Sequence, residues 1–277
     1  MLVEISLPAK DPSLERLIRP DSPCRPRALA VLDGVLAGRA WTDDAHDARA
    51  VVVIEDADGT IFTGGALTVE AVREALAGVE TASGDLILGF ADETDAARDL
   101  IPVEPYWSGR AIDFTDREPP DDEAAALAAP MPDGARVVAL DASNLPMTEW
   151  YADTLHAFGS VERWAELGLG FAVMVGDEMV AEALAGPRCR GLLEMGVVTR
   201  EHFRRSGFGT VVSRLTARAC EARGDRIWWN ANAGNAPSLA IARRIGFRTE
   251  RAYDLVACHA PLGGTAALAS DRGRMSA

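Results

Sequence analysis

The sequence predicts an α/β protein, and three observations carry that prediction. In the second half, apolar β-type runs alternate with helical patterns: GLLEMGVVT at 191–199, a helix to about Arg223, RIWWN at 226–230, then a helix over 237–245. Two hairpins are marked by tight turn signals, one over 50–63 and one around Gly176-Asp177. The 277 residues are 48% hydrophobic and 25% charged, the composition of a globular chain that buries a core without disulfides or metals.

Taken in order, residues 26–38 place Leu29, Leu32 and Leu36 at helical spacing, with a glycine closing the run. AVVVIE, the turn Asp56-Ala57-Asp58-Gly59, and TIFT form the first hairpin. A helix is expected over 68–78, a strand over 85–90, a helix over 92–100 and a strand over 110–115. Glu118-Pro119-Pro120-Asp121-Asp122-Glu123, the alanines and Pro130-Met131-Pro132-Asp133-Gly134 read as a linker or an exposed crossing. A helix over 147–167 is expected to break near Gly159. The second hairpin pairs GFAVMV with EMVAEALA. After strand 191–199, Gly207-Phe208-Gly209 opens a helix. Gly246 caps the 237–245 helix, and a last strand covers 249–258. The residues from about Pro261 read as a loose tail.

Charge is distributed unevenly. The net charge of −14 argues against nucleic acid as a partner. Residues 1–134 carry 11 basic and 27 acidic side chains, whereas 188–251 carry 13 arginines against 5 acids. The acidic half either steers a cationic acceptor or serves as a solubility surface. Cys24, Cys189, Cys220 and Cys258 form no CxxC pair, so no zinc site or disulfide framework is signalled, and His46, His156, His202 and His259 are too scattered for a metal. The sole lysine, Lys10, is far from any glycine-rich loop, which excludes a Walker nucleotide site. No membrane-length apolar run and no signal peptide are seen, so a cytoplasmic protein is expected.

The chemistry concentrates in 191–238. A strand ends and a turn carries Arg204-Arg205-Ser206-Gly207-Phe208-Gly209 into a helix. Free N–H groups at a helix N-terminus, the helix dipole and flanking arginines make an anion site suited to a pyrophosphate. The same turn also fits a solvated basic loop. Gly196 inside a strand suggests a bulge that would splay the sheet. Glu194 shares that strand, and Asn235 and Ser238 open the next helix.

The order strand, RxxGxG turn, helix, strand, NxxS helix and GF resembles the GNAT superfamily of acetyl-CoA-dependent N-acetyltransferases. EMGVVTREHFRRSGFG followed by WWNANAGNAPSLAIARRIGF is similar to a bacterial subgroup, closely over 170–255 and more loosely over 26–170. The resemblance implies a mixed, splayed central sheet flanked by helices, with an N-terminal α/β half that is itself GNAT-like. It implies a layout of an N-terminal domain at 1–118, a linker at 119–134, a GNAT domain at 135–260 and a tail at 261–277. It implies acetyl-CoA as co-substrate, its pantetheine arm along Val197, Val198 and Thr199. The turn from Arg204 and Arg205 through Ser206, Gly207, Phe208 and Gly209 to Thr210 would hold the pyrophosphate, with Asn235 and Ser238 on the pantetheine or amine side.

Glu194 matches the family's general base, though a structural acid at a strand edge fits the residue as well. An incoming ammonium must lose a proton before it attacks a thioester, which is the work of a partly buried carboxylate. The family's tyrosine acid would fall at Ala242, so either Tyr253 donates to the thiolate or the thiolate leaves unaided. Glu182 faces an amine acceptor or solvent, and Trp228-Trp229 are core or line the acceptor pocket.

The expected reaction is direct attack of a small-molecule or peptide amine in a ternary complex. A catalytically silent CoA-binding protein, a longer-chain acyltransferase and an alcohol acceptor are the alternatives. Acceptor and oligomeric state are not legible.

Overall fold

The computed structural model describes residues 1–9, 11–44, 46–90, 107–128, 131–132 and 134–260. The chain divides into two compact units, Met1–Ala111 with the stretch from Ala252 onward, and Ile112–Arg251. The helix expected over 92–100 and the tail from 261 lie outside the described residues.

The first unit contains strands β1 (Val3–Ile5), β2 (Gly38–Thr42), β3 (Ala50–Glu55), β4 (Thr60–Gly65) and β5 (Asp85–Phe90). Helices α1 (Ser13–Leu17) and α2 (Arg25–Leu32) fall between β1 and β2, and α3 (Val69–Leu76) between β4 and β5. β1 to β4 pair antiparallel in sequence order, and β4 and β5 pair in parallel. All six residues of β3 are buried, as expected of a strand covered on both faces. Val72, Ala75 and Leu76 of α3, at helical spacing, pack on Trp41, Val52, Ile54 and Leu88.

In the second unit, the strands after β6 (Trp107–Arg117) are β7 (Ala135–Ala139), β8 (Leu169–Val175), β9 (Glu178–Ala185), β10 (Leu192–Thr199) and β11 (Arg226–Asn232). Its helices are α4 (Glu123–Ala128), α5 (Tyr151–Phe158), α6 (Val161–Leu167), α7 (Phe208–Ala222) and α8 (Ala236–Arg244). The sheet runs β6-β11-β10-β9-β8-β7. The α7 face buries Val173, Ala181, Ala183, Phe208 and Val212, and the α5/α6 face buries Leu145, Phe158, Trp164, Ala172 and Leu184. The last strand, β12 (Phe247–His259), has its final six residues antiparallel to β5 in the first unit.

Both units follow one path: a strand, two helices, three antiparallel strands, a helix and a parallel strand. In each, the parallel pair is short, spanning two residue pairs in the first unit (Thr60↔Ile87, Ile61↔Leu88) and three in the second.

Most elements lie where the sequence places them, with instructive differences. The helix over 26–38 ends at Leu32, because Gly34 takes φ +67° and its N–H closes on Val31 O. The 147–167 segment breaks at Gly159 (φ +85°), after which the Ser160 hydroxyl accepts from the Arg163 N–H and starts α6. The stretch expected as a linker contains α4. Arg117, buried at the end of β6, needs acceptors and finds them in Glu123 of α4, Glu221 of α7 and the Ile245 carbonyl.

Candidate functional site

The site is built where β10 leaves β11. The two strands pair only at Leu192↔Arg226, Leu193↔Ile227 and Glu194↔Trp228, while β10 stays with β9 from Met195↔Ala185 to Thr199↔Ala181. Beyond Glu194 a wedge opens between β10 and β11. The register of β10 with β9 is unbroken through Gly196, so the bulge expected there is absent; the shift in this sheet lies at Val173/Met174 of β8. Gly196 serves another purpose. A Cβ at that position would sit 2.5 Å from Cζ3 of Trp150, so the glycine makes room for the indole.

Backbone alternation decides which groups of β10 face the wedge. The bonds Gly186 N–H to Glu194 O and Arg200 N–H to Val180 O fix Glu194 and Arg200 as residues bonded to β9. Counting by twos between them, Gly196 and Val198 also turn their N–H and C=O to β9, and Val197 and Thr199 turn theirs into the wedge. Of the three residues expected along a pantetheine arm, Val197 therefore turns both backbone groups to the wedge and Thr199 its N–H, the Thr199 carbonyl accepting from Arg204 Nε at 3.3 Å, while Val198 turns neither.

At the open end of the wedge stands the N-terminus of α7. Gly207, its N-cap, has φ +84° and no side-chain cap, and a Cβ there would meet nothing within 4 Å. No acid occupies the first turn. Arg204, Arg205 and Ser206 are exposed around it, and Arg205 is left-handed at φ +67°. Phe208, Gly209 and Thr210 are buried in the first turn. A Cβ at Gly209 would meet Thr199 Oγ1 at 2.9 Å and Ile241 Cδ1 at 3.2 Å. Gly209 thus lets α7 pack on β10 and α8, and Gly207 keeps the approach to the helix end open.

The face of the sheet opposite α7 carries the remaining polar groups. Cross-strand pairing puts Glu182, Glu194, Gly196, Val198 and Trp228 on it. Glu182 is 3% exposed. Its Oε1 accepts the N–H groups of Glu149 (2.9 Å) and Trp150 (3.4 Å), so it caps the N-terminus of α5 from a neighbouring strand. Burial, opposed by those two bonds, pushes its carboxyl from 4.5 up to about 7. Glu194 is half-buried at the throat of the wedge. Trp228, opposite it, is 5% exposed, and its Nε1 has no hydrogen-bond partner among the described residues. Asn230, two residues on, donates to the buried Asp113 at 2.7 Å.

Other expected site residues are engaged elsewhere. Asn235 caps α8 by accepting the Ser238 N–H, and the Ser238 hydroxyl accepts from Trp229 Nε1 at 3.1 Å. Trp229 itself packs in the core with Phe247. Ala242 is fully buried in that core. Tyr253 belongs to the first unit, buried, with its hydroxyl 3.2 Å from Cys24 Sγ and its ring against Gly89. Sequence reasoning missed Trp150 and Asp113 and placed Glu182 only loosely. A lone Trp before a helix, or one acid in a strand, carries no spacing signal.

Among the described residues no cluster of His, Cys, Asp or Glu could hold a metal ion, and no helix is long and apolar enough to cross a membrane. The GNAT acetyltransferase family model matches residues 24–256. The chain belongs to the GNAT acetyltransferase family. Acyl transfer is the chemistry of GNAT proteins, and amines are their acceptors. A curated relative, the uncharacterised N-acetyltransferase YdfB of Bacillus subtilis (strain 168), is 30% identical over 98 residues, 35% of this chain and 38% of YdfB. The matched part thus spans well under half the length of that relative.

Two solved structures share the GNAT fold with this chain. One, a GCN5-related N-acetyltransferase-like protein from Streptococcus suis 89/1591, has TM-score 0.67 and 18% identity, covering 88% of this chain and 97% of that one. The other, a tandem GNAT protein from the clavulanic acid biosynthesis pathway, has TM-score 0.59 and 12% identity, covering 94% and 98%. The two units differ where a GNAT cofactor site would lie. The helix after the fourth strand of the first unit, α3, has its N-terminus closed: Thr68 caps it by accepting the Ala71 N–H, and Glu70 sits in its first turn. The equivalent end of α7 is uncapped and flanked by arginines.

Proposed function

We propose that the protein is an acetyl-CoA-dependent N-acetyltransferase with one cofactor site, in the wedge of its second unit. The observation that carries this reading is the uncapped N-terminus of α7 at the mouth of a wedge whose β10 edge has no partner strand beyond Glu194. The helix N–H groups, the dipole and Arg204 and Arg205 would hold the pyrophosphate. Pantetheine amides would bond the N–H and C=O of Val197 and the N–H of Thr199, and the acyl end would reach the throat near Gly196 and Glu194.

In the reaction, the acceptor ammonium gives one proton to Glu194, and the free amine attacks the thioester carbonyl carbon. The C–N bond forms, the C–S bond breaks, and the second nitrogen proton passes to the departing sulfur. Glu194 then releases its proton to water. The thiolate leaves without a side-chain acid and takes its proton from the nitrogen; Ala242 is buried, and Tyr253 is buried with its hydroxyl on Cys24. Catalysis then rests on positioning, with no acyl-enzyme, since the four cysteines are buried. The location of the enzyme in the cell is expected to be the cytoplasm.

The test is calorimetric titration with acetyl-CoA. Micromolar binding, about −8 kcal/mol, is expected for the native protein and no heat for Gly207→Glu. Gly207→Ala controls for the left-handed backbone alone, at a cost of about 1 kcal/mol in stability, and should still bind. Absence of heat in the native protein would overturn the reading.

A further inference from the structure

We infer that Trp150, held in place by Glu182, limits the length of the acyl chain the enzyme accepts. The inference rests on the cofactor reading above and concerns the far end of that same wedge. Three placements support it. The Trp150 ring lies on Gly196, so closely that a Cβ there would stand 2.5 Å from Cζ3 and 2.8 Å from Cη2. Gly196 is two residues past Glu194↔Trp228, the last pair before β10 and β11 part. Trp228, also buried, shares that face of the sheet across the throat.

A thioester whose pantetheine arm follows Val197 and Thr199 therefore points its acyl group at a throat bounded by two indoles. An acetyl group has one carbon beyond the carbonyl. Each further methylene must displace the Trp150 ring or turn back along the wedge, and close-packed walls resist both.

Glu182 makes the wall stiff. Its carboxylate takes the N–H groups of both Glu149 and Trp150 at the start of α5, so the backbone that carries the ring is bonded to β9 from two consecutive residues. Glu182 is a positioning residue here, acting through Trp150. It sits opposite Val198 in the register of β9 with β10, and Leu184 sits opposite Gly196.

The experiment needs no knowledge of the acceptor. Binding of CoA, acetyl-CoA, butanoyl-CoA and hexanoyl-CoA is measured by calorimetry on the full chain, for the native protein, Trp150→Ala, Trp150→Leu, Glu182→Leu and Glu182→Gln. In the native protein, hexanoyl-CoA should bind about tenfold or more weaker than acetyl-CoA, the scale at which a pocket rejects added methylenes. Trp150→Ala should erase that ratio, and Trp150→Leu, which keeps apolar volume, should reduce it. Glu182→Leu, which removes the acceptor of both N–H groups, should reduce it while leaving the ring present, and Glu182→Gln, which keeps an accepting oxygen, should hold it near the native value. Equal binding of all acyl chains by the native protein overturns the inference and leaves the cofactor reading standing. An acetyl preference unchanged in Trp150→Ala and Trp150→Leu overturns it too. Failure of every thioester to bind the native protein removes the cofactor reading and this inference together.

Discussion

Replacing Glu182 by glutamine tests the energetics of the buried cap directly. In the folded protein burial raises this carboxyl from 4.5 to about 7. A group whose folded pKa lies above its unfolded value binds its proton more tightly when folded. Its contribution is therefore full below pH 4.5 and is lost as pH rises through about 7. At about 1.4 kcal/mol per pH unit, that interval corresponds to at most about 3–4 kcal/mol. Glutamine keeps an oxygen that accepts from Glu149 and Trp150 and has no proton to lose. The stability of Glu182→Gln relative to the native protein should thus rise between pH 4.5 and 7 by up to about 3–4 kcal/mol and level off above. Urea unfolding at pH 4.5, 5.5, 6.5, 7.5 and 8.5, with the slope on denaturant checked for constancy, measures the difference. Parallel stability curves for the two proteins across this range would refute the argument, as would a native protein that gains on the variant with rising pH.

Further outcomes follow from other parts of the structure. Acetyl-CoA should bind with a stoichiometry of one per chain, because the α3 N-terminus is capped by Thr68 and carries Glu70; native mass spectrometry reads this, and two bound molecules would contradict it. Thr68→Ala should cost about 1 kcal/mol in thermal unfolding and leave that stoichiometry at one. Gly196→Ala should destabilise by about 1–3 kcal/mol through collision with the Trp150 ring, and Trp150→Ala in that background should recover part of the loss in a double-mutant cycle. Arg117→Ala should cost about 3–5 kcal/mol, because it leaves the buried Glu123 carboxylate without its partner; chemical denaturation measures it.

How much of this was legible from sequence depends on whether a feature is local. The hairpin at Asp56–Gly59, the break at Gly159 and the RxxGxG turn each depend on a glycine with left-handed φ, and such residues announce themselves in a string. Gly196 also stood out, yet its meaning did not. A strand glycine suggests a bulge, and the reason for this one is an indole from a segment 46 positions earlier in the chain. Glu182 and Glu149 are likewise joined only by folding, so the raised carboxyl had no sequence signature. The linker reading of 118–134 weighed prolines and acids and could not see that Arg117 would be buried and in need of Glu123. Strands β1, β2 and β7 were missed because they are three to five residues long and show little alternation.

The path of β12 has a consequence for synthesis. Its last six residues close the sheet of the first unit beside β5, yet they leave the ribosome only after all of Ile112–Arg251. The unit begun first is therefore finished last. Domains that fold in order as they emerge do so because each is contiguous, and here only the later one is. Until residues 254–259 arrive, the nascent chain carries the open edge of β5, a row of unpaired amides and carbonyls of the kind that invites misassembly. A stall or truncation near residue 251 would leave the second unit whole and its companion with that edge uncovered.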